Sequence, residues 1–204
     1  MSKNILVLVS GGGTNLQALI DAQERGELGG GRITAVISDR SGVYALERAK
    51  VAGIPAFVEK PDIALPKPER GRELSDRILR FCREKEIDLV VLAGFLSILA
   101  GEIIEAYAGR MINLHPALLP KFGGRGMFGE HVHNAVLNAG ESESGCTVHL
   151  VDAGTDTGSI LLQRKVPILS GDTQESLAER IHKEEHIAIV DAVKMMLGRL
   201  EGRM

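Results

Sequence analysis

The sequence predicts an α/β fold: a Rossmann-like, doubly wound, mostly parallel sheet with an antiparallel portion toward its C-terminal end, in three αβα layers. Three observations predict it. Near-continuous aliphatic runs such as "NILVLVS" (4–10) and "IDLVVLAG" (87–94) mark strands buried on both faces of a parallel sheet. Segments with helical apolar spacing separate these strands, as βαβ units require. In the second half two strands with alternating residues stand close together and precede one long amphipathic helix.

Each element follows in order. After the first strand, "GGGTN" turns the chain into the helix "LQALIDAQERG". "RITAVIS" (32–38) is the second strand, and "VYALERAKVAG" (43–53) a helix closed by Gly53. "PAFV" is a short strand, and a loop rich in Pro and charge leads into a helix over about 72–85. Strand 87–94 comes next, then a helix over "SILAGEIIEAYAG" and the strand "RMINL". "GGRGMFGEHVHNAVLNAG" reads as a glycine-rich loop running into a helix. "GCTVHLV" (145–151) and "ILLQRKVPI" (160–168) are strands, and "TQESLAERIHKEEHIAIVDAVKMML" is a helix with Thr173 as its N-cap.

Composition bounds the function. The 204 residues suit one domain. A formal charge of -3 gives no general attraction to nucleic acid or an anionic membrane. The longest apolar run, 89–100, is too short to span a bilayer, and no signal-peptide pattern opens the chain. Cys82 and Cys146 alone make neither a disulfide framework nor a metal site, so a cytoplasmic protein with reduced thiols is expected. Aromatic residues, at 3%, are too few for a base-stacking platform.

The turn "SGGGTN" stands where open α/β sheets bind ligands, at a strand's carboxyl end and a helix N-terminus. Leu16 breaks the dinucleotide fingerprint at its third position, and no lysine completes a P-loop. Two readings stand: a single phosphate held by Gly13, Thr14 and Asn15, or a tight turn with Thr14 capping the helix. Asp39 mimics a ribose-binding acid by position, although "SDRSG" reads more naturally as a turn.

"MINLHPALLP" carries the chemistry. Asn113 and His115 lie two residues apart, hence on one face of a strand at its carboxyl end. Either residue alone has an ordinary structural explanation: Asn as a turn former, His satisfied by backbone. Downstream, "HLVDAGTDTGSI" places Asp152 and Asp156 in a loop that reaches toward the same crevice. A carboxylate beside His115 is expected to raise its pKa. A protonated imidazole next to an amide donor suits acyl transfer between two amines, where an oxygen turns anionic and a nitrogen must receive a proton. No G-x-S-x-G elbow or activated-cysteine motif is present, and an amine nucleophile needs neither.

"NILVLVSGGGTNLQALID", "VVLAGFLSIL", "GRMINLHPALLPKF" and "HLVDAGTDTGSILLQRKVPI" together resemble the glycinamide ribonucleotide transformylase (phosphoribosylglycinamide formyltransferase) family over nearly the whole chain. The resemblance implies transfer of formyl from 10-formyltetrahydrofolate to glycinamide ribonucleotide in purine biosynthesis, with no metal, by a monomer or homodimer acting on small molecules. By motif match His115 would be the catalytic acid, Asn113 the oxyanion donor and Asp156 the carboxylate that keeps His115 protonated. The nucleotide would lie on Gly13, Thr14 and Asn15 and on the helix segment His182, Lys183, Glu184 and Glu185. Folate would meet Arg72, Leu96, Ser97, Ile98, Leu99 and Asn113, with Asp152, Ala153, Gly154, Thr155 and Asp156.

Departures from the family pattern exist. Ser97 stands where some members carry arginine, and "TDTG" replaces the "LDGG" of others while keeping the acid. "GGRGMFGEHVH" is longer than in some relatives and reads as a flap or as a surface excursion; His131 and His133 read as substrate contacts or as a polar helix face. Two rivals share the fold, a formyltetrahydrofolate hydrolase and a formyltransferase acting on charged tRNA, and both would usually bring a further domain. A third, of another class, is a non-catalytic phosphate sensor that uses only the glycine turn.

Overall fold

Strand β1 (Lys3–Val9) divides the core, because its side chains alternate between two apolar layers. Ile5, Val7 and Val9 face one cluster; Leu6 and Leu8 face the other, and all five are buried. The computed structural model describes residues 2–202, so positions 1, 203 and 204 of the expected domain lie outside the described residues. Seven strands form one sheet in the order β3-β2-β1-β4-β5-β6-β7. Strands β2 (Gly31–Ser38), β3 (Ala56–Val58), β4 (Leu89–Leu92) and β5 (Met111–His115) extend it in parallel from β1. Strands β6 (Glu143–Leu150) and β7 (Ile160–Pro167) close one edge in antiparallel register. This is the predicted α/β architecture with its antiparallel C-terminal portion.

Helices cover both faces. On one, α1 (Thr14–Glu24), α2 (Tyr44–Val51), α5 (Glu130–Asn138) and α6 (Gln174–Leu200) supply Leu16, Leu19, Ala45, Val136, Ile181 and Val193 to the core. On the other, α3 (Lys67–Glu84) and α4 (Glu102–Ala106) supply Leu74, Ile78 and Ile103. Thr173 caps α6 as expected: its side chain accepts from the Ser176 N–H at 3.3 Å, and the Ser176 hydroxyl accepts from the Thr173 N–H at 3.0 Å.

Two boundaries differ from the sequence reading. Helix α3 begins at Lys67 rather than near 72, because Pro66 sits at its N-cap and a proline within the first turn lacks only an N–H that has no intrahelical partner. The helix expected over residues 97–109 shrinks to α4, since Gly101 at φ +80° interrupts it and Ser97–Leu99 form the edge of a cleft. Among the described residues no helix is long and apolar enough to cross a membrane.

The order β2-β1-β4 places the topological switch point between β1 and β4. There the Ser10 N–H donates to the Gly94 carbonyl (3.1 Å), and the Ser10 hydroxyl accepts from the Leu96 N–H (2.8 Å). These bonds fix the floor of the cleft that opens above the carboxyl ends of the parallel strands.

Candidate active site

A cleft of about 700 Å³ runs across the carboxyl edge of the sheet. It brings together Gly13, Thr14, Asn15, Leu96, Ser97, Ile98, Leu99, Asn113, His115, Asp152, Gly154, Thr155, Asp156, His182 and Glu185. Four residues singled out from the sequence do not line it. Arg72 is exposed on α3, and its guanidinium runs over Gly101, where an added Cβ would lie 3.4 Å from Arg72 Nε. Lys183 is exposed, Glu184 pairs with Arg164 at 3.2 Å, and Ala153 is exposed in the β6–β7 loop. On a helix only every third or fourth residue shares a face, so "HKEEH" presents His182 and Glu185 together and turns the two between them outward.

At the nucleotide end of the cleft, the N-cap of α1 is Gly13, and no side chain caps the first turn. Thr14 is therefore the first helical residue rather than the cap, and the N–H groups of that turn face the cleft unclaimed by a side chain. Gly13 has φ +72°, and a Cβ there would fall 2.6 Å from that of Ala45, so no larger residue fits the turn. Arg48 Nε braces the turn by donating to the Gly12 carbonyl at 2.8 Å. Asn15 Nδ2 donates to Glu185 Oε2 at 3.2 Å, and His182 Nε2 lies 3.9 Å from the same oxygen. Glu185 is buried; burial pushes its carboxyl up, against the His182 charge and the Asn15 bond.

At the other end, Asn113, His115 and Asp156 meet. His115 is buried, with Nδ1 3.5 Å from Asp156 Oδ2 and Nε2 2.8 Å from the Phe122 carbonyl. Since a carbonyl only accepts, Nε2 carries the proton. Asp156 is held firmly: the Gly124 N–H donates to Oδ2 at 2.9 Å, and Asn113 Nδ2 donates to Oδ1 at 3.4 Å. Its backbone adopts φ +58°, a left-handed conformation that Asp tolerates better than most residues.

The electrostatics correct one expectation. Asp156 does favour a charged His115, as does the Phe122 carbonyl, but burial outweighs both and leaves the imidazole below its ordinary pKa of 6.5, with His149 adding to the fall. Desolvation was the factor that residue spacing did not reveal. Asp156 behaves conversely: burial pushes its carboxyl up, yet the Gly124 N–H and His115 hold it below the usual range.

His149 is a candidate site residue that the sequence reading missed. It is buried and sits opposite Asn113 in the β5–β6 register. Its Nδ1 donates to the Leu150 carbonyl at 2.8 Å, leaving Nε2 to accept from Asn113 Nδ2 at 3.1 Å. The same Nε2 lies 3.5 Å from Asp156 Oδ1. One N–H of the Asn113 amide is thus fixed on His149, and the other makes only the long contact to Asp156. The signal was a buried polar residue in "TVHLV", but the antiparallel register that pairs it with Asn113 is a long-range property.

The wall between the two ends is apolar, with Leu92, Phe95 and Leu99 buried and Leu96 and Ile98 half exposed. Ser97 donates its hydroxyl to Asp39 Oδ2 at 2.7 Å, so Asp39 is a buried anchor beneath this wall. Residues 124–129 form the opposite lip, with His133 of α5 behind them and His131 exposed against the Phe128 ring. Among the described residues no group of three His, Cys, Asp or Glu side chains is placed to hold a metal ion.

Residues 3–193 match the model of the formyl transferase family. The chain is 39% identical over 183 residues to the phosphoribosylglycinamide formyltransferase of Escherichia coli K12, covering 90% of this chain and 82% of that protein. It is 44% identical over 198 residues to the trifunctional purine biosynthetic protein adenosine-3 of Drosophila melanogaster, covering 96% of this chain but only 14% of that longer protein. The crystal structure of glycinamide ribonucleotide transformylase 1 from Symbiobacterium toebii superposes with a TM-score of 0.87 at 40% identity, over 97% of this chain and 89% of that one. The chain belongs to the formyl transferase family, in its phosphoribosylglycinamide formyltransferase branch.

Proposed function

We propose that the protein transfers a formyl group from 10-formyltetrahydrofolate to the glycyl amine of 5-phosphoribosylglycinamide, a step of purine biosynthesis. The observation that carries this reading is one cleft with an anion-binding helix N-terminus at one end and Asn113, His115 and Asp156 at the other. The phosphate rests on the first turn of α1 at Gly13, Thr14 and Asn15, where free N–H groups and the helix dipole favour an anion. Glu185 and His182 lie beside it and face the sugar. The apolar wall from Leu92 to Leu99, with exposed Leu96 and Ile98, fits a flat heteroaromatic ring, so the residues present suit a folate. When bound, the folate supplies the formyl group and leaves as tetrahydrofolate.

The side chains act as follows. The glycyl amine reaches the formyl carbon between Asn113 and His115. As the formyl oxygen becomes anionic, the loosely held N–H of Asn113 turns from Asp156 to that oxygen, its partner N–H staying on His149. His115 takes up the amine's proton at Nδ1, where Asp156 stabilises the charge that builds on the ring. It gives the Nε2 proton now resting on the Phe122 carbonyl to the nitrogen that leaves, as its bond to the formyl carbon breaks and the formyl carbonyl re-forms. An imidazole that is neutral at rest can carry out both transfers, whereas a permanently charged one would hold its protons too tightly. Each donor to the oxyanion contributes about 2.7–4 kcal/mol to lowering the barrier.

The test mixes the protein with 10-formyltetrahydrofolate, with and without glycinamide ribonucleotide, and follows release of tetrahydrofolate. Release only with the nucleotide is the expected result. Release without it would make the protein a hydrolase, and none in either case would leave only the phosphate sensor.

A further inference from the structure

His133 is a buried polar residue that the mechanism above does not use. It is 3% exposed and lines the cleft from the first half of α5, while its neighbours Val132 and Val136 enter the core. Its Nδ1 is sealed from solvent and has no hydrogen-bond partner among the described residues. Leaving such an atom unpaired costs about 1–3 kcal/mol, and native folds rarely keep the deficit without a use. An apolar side chain at the same helical position would have avoided it.

The surroundings indicate what the ring meets on its cleft side. His133 lines the same cleft as His182, at the nucleotide end, and His115, at the reaction centre. Burial first, and then those two imidazoles, push its pKa down to about 4. The ring is therefore neutral in the working enzyme. A neutral imidazole accepts at one nitrogen and donates at the other, which suits an amide or a hydroxyl and not a phosphate dianion.

We infer that His133 is a nucleotide-orienting residue: its neutral imidazole hydrogen-bonds the ribose or glycinamide portion of the bound ribonucleotide, between the phosphate at Gly13–Asn15 and the amine at His115. The inference rests on the proposed function and adds to it a specificity-determining contact.

The test compares wild type with His133→Phe, which keeps a flat ring and removes both nitrogens. The Michaelis constant for glycinamide ribonucleotide should rise about tenfold, the equivalent of ~1.4 kcal/mol and one neutral hydrogen bond, with that for 10-formyltetrahydrofolate unchanged. An unchanged constant for the nucleotide overturns the inference, and so does an equal rise for both substrates, which marks a merely structural ring. If His133→Phe does not fold, nitrogen-15 imidazole spectra of the wild type decide: adding the nucleotide should move the His133 signals, and static signals overturn the contact. Wild-type enzyme with no nucleotide-dependent turnover would instead sink the proposed function, an outcome read before any variant is made.

Discussion

Asp156→Asn isolates the charge behind the proposed chemistry. The substitution keeps the shape of the side chain, and Asn tolerates the left-handed backbone at φ +58° that Asp156 adopts. Its carbonyl oxygen can still accept the Gly124 N–H, now 2.9 Å from Oδ2, so the loop remains anchored. What disappears is the negative charge 3.5 Å from His115 Nδ1. Opposite unit charges at that separation interact by about 5 kcal/mol at an effective dielectric of about 20. Imidazolium charge is shared over two nitrogens and develops only partly in the transition state, so about 3–4 kcal/mol of the barrier is at stake, a loss of roughly 10²–10³ in kcat. The nucleotide's Michaelis constant should hardly change, because Asp156 lies at the far end of the cleft from Gly13. Tetrahydrofolate release measured against pH gives a second readout. Asp156 raises the His115 pKa against the larger effect of burial. Removing it lowers that pKa further, and the fall in rate as His115 gains a second proton in acid should move to lower pH. A variant within tenfold of wild-type kcat, or one that loses nucleotide binding and turnover equally, would refute the role assigned to the charge.

Three other perturbations address separate links. His149→Leu removes the acceptor that fixes Asn113 at 3.1 Å, and kcat should fall about tenfold to hundredfold while the melting temperature changes little; undiminished turnover would show that Asn113 needs no such clamp. Gly158→Ala would place a Cβ 1.8 Å from the Leu150 carbonyl, so the β6–β7 loop must shift; urea unfolding should show a loss of about 3 kcal/mol, and normal stability would contradict the packing of that turn. Stability should also depend on acid. Burial lowers His115, His133 and His186 below their ordinary 6.5, so the unfolded chain binds more protons than the fold as pH drops through that value. The stabilisation is fully present above pH 6.5 and is lost toward pH 4, His133 alone accounting for about 3 kcal/mol. Denaturant midpoints that stay level between about pH 7 and pH 5 would refute these shifts.

What could be read in advance, and what could not, divides along the range of the interactions. The buried strands and their order of appearance are local facts: a run such as Ile5–Val9 has no polar residue for a solvent face, so it belongs inside a parallel sheet. The spacing of Asn113 and His115 is local too, and period-two geometry put both on one face. Asp156 was suggested by its loop, but its partnership with His115 depends on the Gly124 N–H and on a left-handed residue, neither of which has a signature in "TDTG". His149 was hidden because its importance comes from strand pairing with Asn113, thirty-six residues earlier. Helix periodicity, applied strictly to "HKEEH", would have excluded Lys183 and Glu184 in favour of His182 and Glu185. The sign of the His115 shift is the most instructive difference. Proximity to a carboxylate is a pairwise property that a motif suggests; burial sums over the whole surrounding structure, and here the sum is larger than the pair. A site with His115 neutral at rest and Asp156 ionised has its proton on Nε2, against Phe122, before substrate arrives. The backbone of residues 122–124, which holds both that proton and Asp156, is therefore as much a part of the proposed acid as the imidazole itself.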